Sequence, residues 1–175
     1  MGRTLFVTVG TTLFDKLVLS TSSPEALQWM LANGFTRVII QYGKGVEPSI
    51  PKDQAAGFEK IETYRFKPTL EDDMKAADMI ISHAGAGTVM EAMRMEKHLV
   101  VVINTLLMDN HQAELANAMG SRKHIFVVKE PDDMQRFEIW DEFNTFTPIP
   151  YESGDNQDFP RIVDNLVGFG SKKDK

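Results

Sequence analysis

Two glycine-rich turns in this sequence carry residue types suited to holding an anion. One is Gly10-Thr11-Thr12; the other is His83-Ala84-Gly85-Ala86-Gly87-Thr88. Glycine lets a backbone come close to a phosphate, successive N–H groups can point at it, and threonine hydroxyls add donors. Where a helix starts at the turn, the positive end of its dipole adds to the attraction. The competing reading is a tight strand-to-helix turn that needs positive φ at glycine and binds nothing. For residues 83–88 the histidine, two glycines and threonine together favour the anion. Glu91 follows Thr88 by three residues and shares a helical face with Gly87 and Thr88. Its carboxylate could accept two hydrogen bonds from a ribose diol; taken alone it also reads as an ordinary first-turn acid. A third cluster, Asp109-Asn110-His111-Gln112, mixes donors and acceptors suited to hydroxyl and amide recognition, and it also contains an ordinary N-cap at Asp109 or Asn110.

Other chemistries find no purchase. Residues 85–90 supply the first two glycines of a dinucleotide fingerprint, but Met90 replaces the third, and neutral Asn104 falls where the ribose-binding acid belongs. There is no phosphate loop ending in Gly-Lys-Ser/Thr, no Gly-x-Ser-x-Gly elbow and no His-Glu-x-x-His. The histidines at 83, 98, 111 and 124 lack metal-ligand spacing, and no Asp-x-Asp is present to hold a metal-bound sugar nucleotide. With no cysteine, disulfides and thiol nucleophiles are excluded.

The elements that must position these residues alternate strand and helix. Apolar runs at 5–9, 37–41, 61–66, 79–82, 99–103 and 125–128 read as strands. Residues 99–103 are unbroken and apolar, as a strand buried on both faces should be. Ser23-Pro24-Glu25 reads as a helix start and Gly34 as its stop. Residues 46–60 read as a loop, and Thr69-Leu70-Glu71-Asp72 as a capping box with Asp for Glu. Further helices are expected at about 86–95, 111–119 (stopped by Gly120), from Pro131, and at 159–169. In the last of these Phe159, Ile162, Val163, Leu166 and Val167 form one stripe, suited to packing on the chain's own sheet or on a partner. The alternation predicts an α/β, Rossmann-like sheet, parallel or mixed, with helices on both faces. Ligands then bind outside the carboxyl ends of the strands, where both glycine turns sit.

The 175 residues fit one domain, and the composition, 42% hydrophobic and 25% charged, is that of a globular chain. The net charge is −6, and the last four residues are net basic, so the body is more acidic still. That disfavours non-specific binding to nucleic acid or anionic lipid. No run approaches the ~18 apolar residues of a membrane span, and residues 1–3 lead straight into a strand with no signal-peptide pattern. A cytoplasmic protein without direct membrane insertion is the expectation.

Three motifs taken together carry a resemblance. Val7-Thr8-Val9-Gly10-Thr11-Thr12, residues 81–88 and Met108-Asp109-Asn110-His111-Gln112, in order over most of residues 4–128, resemble the donor-binding, C-terminal half of family 28 glycosyltransferases of GT-B architecture. Within that family they are similar to the cytosolic subunit of the eukaryotic two-subunit UDP-N-acetylglucosamine transferase of dolichol-linked oligosaccharide synthesis. The resemblance implies that Gly85, Ala86, Gly87 and Thr88 meet the pyrophosphate of UDP-GlcNAc and Glu91 the ribose. Asn110, His111 and Gln112, with Asp109 beside them, would read the N-acetylglucosamine, and Gly10, Thr11 and Thr12 would border the donor. It implies inverting transfer to GlcNAc-diphosphodolichol, the second sugar of the N-glycan precursor, with no cofactor and no metal. The general base is unassigned, with His83 and His111 as candidates. The implied partner is a membrane-anchored, acceptor-binding subunit that recruits the chain to the cytosolic face of the endoplasmic reticulum. The alternatives are a sugar-nucleotide-binding module with no transferase activity of its own, and a Rossmann-like nucleotide enzyme unrelated to glycans.

Overall fold

The computed structural model describes residues 2–106 and 110–152, leaving aside the side chains of 110 and 111. Six strands, β1 (Arg3–Thr8), β2 (Phe35–Gln41), β3 (Lys60–Tyr64), β4 (Met79–His83), β5 (His98–Val102) and β6 (Phe126–Val128), form one sheet in the order β3-β2-β1-β4-β5-β6. Among the described residues every pairing is parallel, and none is of the mixed kind.

Parallel strands covered on both faces must be apolar on both, and β1 is: Leu5, Phe6 and Val7 are all fully buried. Leu5 and Val7 face one core with Val38, Ile40, Ile81 and Val100, under α1 (Asp15–Thr21), α2 (Pro24–Ala32) and α7 (Phe137–Thr145). Phe6 faces the other with Ile80, Leu99 and Val101, under α4 (Glu71–Ala76), α5 (Ala86–Arg94) and α6 (Asn110–Ser121). The first core is closed by an aromatic group, with Trp29 edge-on to Trp140 at 5.1 Å. Both indoles are satisfied, Trp29 Nε1 donating to Asp141 Oδ1 and Trp140 Nε1 to the Met134 carbonyl.

Several local expectations change. Ser23 does cap α2, accepting from the Ala26 N–H at 3.1 Å, but α1 precedes it, and Pro24 separates the two helices because it cannot continue an i→i−4 ladder. The loop at 46–60 contains a single helical turn, α3 (Lys52–Ala55). Thr69 is not the cap of a capping box: Leu70 is the N-cap of α4, and the Thr69 hydroxyl takes the Glu71 N–H instead. Three acids in that first turn favour the positive helix end. Gly120 does not stop α6, which runs on to Ser121; a Cβ there would lie 2.6 Å from Val127 Cγ2, so the glycine admits β6. The helix from Pro131 is a 3₁₀ turn, Pro131–Gln135, with α7 after it. The stripe at 159–169 lies outside the described residues.

From β1 the chain winds outward through β2 and β3, then returns to place β4 on β1's other side. The carboxyl ends of β1 and β4 therefore flank a topological switch point, where open α/β sheets leave a crevice.

Candidate functional site at the switch point

The turn after β1 is held from within. Gln41, 1% exposed at the end of β2, reaches across with its amide. Its Oε1 accepts the Thr8 hydroxyl at 2.6 Å, the Gly10 N–H at 2.9 Å and the Val9 N–H at 3.1 Å. Its Nε2 donates to the carbonyls of Gly10 and Arg65, at 2.7 and 2.8 Å. Both the hydroxyl and the N–H of Thr12 donate to the Val9 carbonyl. Of the donors expected in this turn, the Gly10 N–H and the N–H and hydroxyl of Thr12 have protein acceptors, and Thr11 is exposed. Gln41 was not singled out by the sequence; its one signal is a polar residue closing the apolar run 38–40.

His83, the last residue of β4, is wedged between the two glycine turns. Gly10 has φ +60, and a Cβ there would lie 2.7 Å from His83 Cε1. A Cβ on Gly85 would collide with His83 Nε2. Gly85 itself has φ −74, so its glycine answers the imidazole's approach and not a left-handed turn. The ring is buried, and desolvation pushes its pKa down to about 4 against the opposing effect of a backbone hydrogen bond with Thr8. Ser82 Oγ lies 3.4 Å from Nδ1 and donates to the His83 carbonyl. At neutral pH His83 is an uncharged spacer that joins the two turns.

The turn after β4 is open. Gly85 is the N-cap of α5 and contributes no side-chain cap. The Val89 N–H donates to the Gly85 carbonyl at 3.0 Å, while the N–H groups of Ala86, Gly87 and Thr88 have no protein partner among the described residues. Gly87 is exposed, and a Cβ on it would meet nothing within 4 Å. No neighbour and no positive φ requires a glycine there, although it is the poorest helix former after proline. One turn on, the carboxylate of half-buried Glu91 makes no hydrogen bond or salt bridge among the described residues, and Lys75 feels its charge.

Because β5 pairs with β4 in parallel, the start of α6 comes to the same sheet edge as the start of α5. Asn110 and His111 open α6 and Gln112 is half-buried; Asp109 lies outside the described residues. A cleft of about 210 Å³ beside the β1 turn is lined by Leu13, Phe14, Asp15, Lys16, Asn104 and Leu106. Clefts of about 500 and 540 Å³ lie elsewhere, between α1, α2 and the 3₁₀ turn and along β6. Neither is lined by the unpaired N–H groups, so size does not locate the site. Among the described residues no group of three His, Asp or Glu has metal-holding geometry, and no helix is long and apolar enough to cross a membrane.

Residues 4–133 match the glycosyltransferase family 28 C-terminal domain. The chain is 43% identical over 124 residues to the UDP-N-acetylglucosamine transferase subunit ALG13 of Homo sapiens, covering 71% of this chain and 11% of that protein. It is 35% identical over 168 residues to the ALG13 subunit of Yarrowia lipolytica, covering 94% of this chain and 84% of that one. It thus spans about a tenth of the human protein and most of the yeast one. The NMR solution structure of ALG13 superposes with a TM-score of 0.65 at 25% identity, covering 95% of this chain and 96% of that chain. The crystal structure of Acinetobacter baumannii MurG shares the fold, with a TM-score of 0.56 at 18% identity, over 81% of this chain and 42% of that chain.

Proposed function

The chain belongs to the glycosyltransferase family 28 C-terminal domain family, and on that premise we propose that it is the donor-binding, catalytic subunit of an N-acetylglucosaminyltransferase that uses UDP-GlcNAc. The observation that carries this reading is the start of α5, where three unpaired N–H groups and an unhindered Gly87 face open space at the β1/β4 switch point.

The pyrophosphate of UDP-GlcNAc sits on the N–H groups of Ala86, Gly87 and Thr88, with the α5 dipole behind them. Glu91, one turn deeper, takes the ribose diol. Asp109, Asn110, His111 and Gln112 read the N-acetylglucosamine from the start of α6, and Thr11 borders the donor from the β1 side. The 4-hydroxyl of GlcNAc-diphosphodolichol attacks C1 of the donor: the C1–phosphate oxygen bond breaks, a β1,4 bond forms, and UDP leaves. Charge growing on the leaving phosphate is met by N–H donors already in place, which need no reorganisation during the reaction. The hydroxyl proton passes to a general base. A membrane-anchored partner subunit brings the lipid acceptor, so transfer requires both chains and takes place at the cytosolic face of the endoplasmic reticulum.

The low pKa of His83 favours one alternative, a sugar-nucleotide-binding module that performs no transfer by itself. Two measurements decide. Titration of the ¹⁵N-labelled chain with UDP-GlcNAc should shift amides of residues 83–91 and 110–112, whereas NADH should not; selectivity for NADH would refute the reading. Transfer to a GlcNAc-diphospholipid, with and without the partner, separates enzyme from module, and Glu91→Ala should raise the donor KM by about tenfold or more, the loss of a charged hydrogen bond.

A further inference from the structure

Gln41 ends β2 behind apolar Val38 and Ile40, and it is almost wholly buried. A primary amide in that position is unfavourable unless its polar groups are paired. Here all of them are. Oε1 accepts the Thr8 hydroxyl and the N–H groups of Val9 and Gly10, and Nε2 donates both hydrogens, to the carbonyls of Gly10 and Arg65. The amide cannot turn over, because that would set Nε2 against three donors and Oε1 against two carbonyls. The Arg65 carbonyl is itself held in place: Arg65 Nη1 donates to the Gly43 carbonyl at 2.8 Å, and the guanidinium lies 5.0 Å over the Tyr42 ring. One side chain thus grips Gly10 by both its N–H and its carbonyl, in the left-handed conformation at φ +60. Four of the five hydrogen bonds go to residues 8–10, and none goes to β2 itself.

His83 rests on the segment so gripped. Its ring hydrogen-bonds with the Thr8 backbone and covers the α-carbon of Gly10, where a Cβ would lie 2.7 Å from Cε1. The same edge of the ring meets Gly85, where a Cβ would collide with Nε2. Gly85 is the N-cap of α5, so the N–H groups of Ala86, Gly87 and Thr88 follow it directly. Close-packed contacts of this kind pass a displacement on instead of absorbing it. We propose that Gln41 is a positioning residue for the phosphate subsite: its amide sets, through Gly10 and His83, where the N–H groups at the start of α5 stand. The inference rests on the proposed function and adds to it a residue that acts on the donor through two others.

The test uses Gln41→Glu in the full chain. The variant has the parent's shape and keeps one oxygen for the three donors, but as a carboxylate it turns its second oxygen on the carbonyls of Gly10 and Arg65. Protonated, it has an O–H to give to one of them, so lowering the pH should restore the parent's arrangement. Parent and variant are followed together from about pH 9 down to about pH 5.5, a range that spans the pKa values of buried glutamates. Circular dichroism checks the fold at each pH, and the ¹³C resonance of the new carboxyl reports its charge. With the carboxyl ionised, calorimetric titration with UDP should give an affinity at least about tenfold below the parent's. The ¹³Cα resonances of Ala86, Gly87 and Thr88 should be displaced in the free chain. Both differences should close as the carboxyl takes up its proton. Parent affinity and parent resonances in the ionised variant would overturn the inference and assign Gln41 to stability alone; so would differences that do not follow the ionisation. If the variant does not fold or does not ionise, Thr8→Val removes one donor to Oε1 at constant shape. It should cost about threefold in UDP affinity and displace the same resonances, and unmoved resonances would overturn the inference. Failure of the parent to bind UDP would count against the proposed function, and the ¹³Cα comparison would still decide the coupling.

Discussion

Replacing Gly87 by alanine should move stability and donor binding in opposite directions. The residue lies in the first turn of α5, its φ is not left-handed, and an added Cβ would meet nothing within 4 Å. For the folded chain alone the substitution is therefore favourable, by about 0.5–1 kcal/mol of helix propensity. In a domain of this size that raises Tm by about 1–4 °C. Helical Cα–Cβ bonds tilt toward the helix N-terminus, so the same methyl group should crowd a phosphate held on the unpaired N–H groups of Ala86, Gly87 and Thr88. A hydrogen bond to a charged group contributes about 1.5–3 kcal/mol, so losing one weakens UDP or UDP-GlcNAc by about 10- to 100-fold. Differential scanning fluorimetry of the free chain and calorimetric titration with UDP supply the two readouts. Gly85→Ala is the control: its Cβ collides with the His83 ring, so it should lower Tm. A stabilised Gly87→Ala chain that binds UDP as well as the parent would refute the placement of the phosphates. A destabilised one would refute the claim that the fold has no use for the glycine.

Two further outcomes follow from the same geometry. Gln41→Leu leaves the N–H groups of Val9 and Gly10 and the carbonyls of Gly10 and Arg65 without their partner; urea denaturation should show a loss of about 3 kcal/mol or more, and a loss under about 1 kcal/mol would mean that water replaces the amide. His83, and in the same direction His98, is held neutral by burial. Above the unperturbed value of about 6.5 both folded and unfolded imidazoles are neutral, and no stability is at stake. As pH falls from there towards 4 the unfolded chain takes up the proton first, so His83 alone removes about 3 kcal/mol, and His83→Asn should flatten that part of the urea-midpoint profile. Identical slopes for parent and variant between pH 6.5 and 4 would show that His83 is not buried as described.

The sheet was legible because its strands are short apolar runs separated by glycine and proline, and parallel pairing follows from their alternation with helices. The second glycine turn was legible because histidine, glycine and threonine cluster within six residues. The state of each turn was not. Which N–H groups are free at Gly10-Thr11-Thr12 depends on an amide at position 41, and no spacing along the chain reports a hydrogen bond made over 31 residues. Gly120 misled for the same reason, since its lack of a side chain answers Val127 on another element. Gly85 and Gly87 look alike in sequence, yet one admits an imidazole and the other faces open space.

The burial that makes His83 a spacer also bears on the search for the base. A base whose conjugate acid has a pKa of about 4 accepts a proton at a disadvantage of about 4 kcal/mol relative to one poised at 7. Bound pyrophosphate would raise that pKa by bringing negative charge to the start of α5, but a protonated His83 would then donate to phosphate and accept nothing. On that ground we expect the hydroxyl proton to go to another group: His111, or a side chain of the partner subunit. The pH profile of transfer by the assembled enzyme tells these apart from a catalytic His83. His83→Asn should lower kcat/KM for the donor while leaving the acid limb of log kcat at the same pH, because the group that titrates there is intact. Disappearance of that limb in His83→Asn would make His83 the base and overturn its role as a neutral wedge. Disappearance in His111→Asn instead would place the base at the start of α6, on this chain; its persistence in both variants would assign the base to the partner.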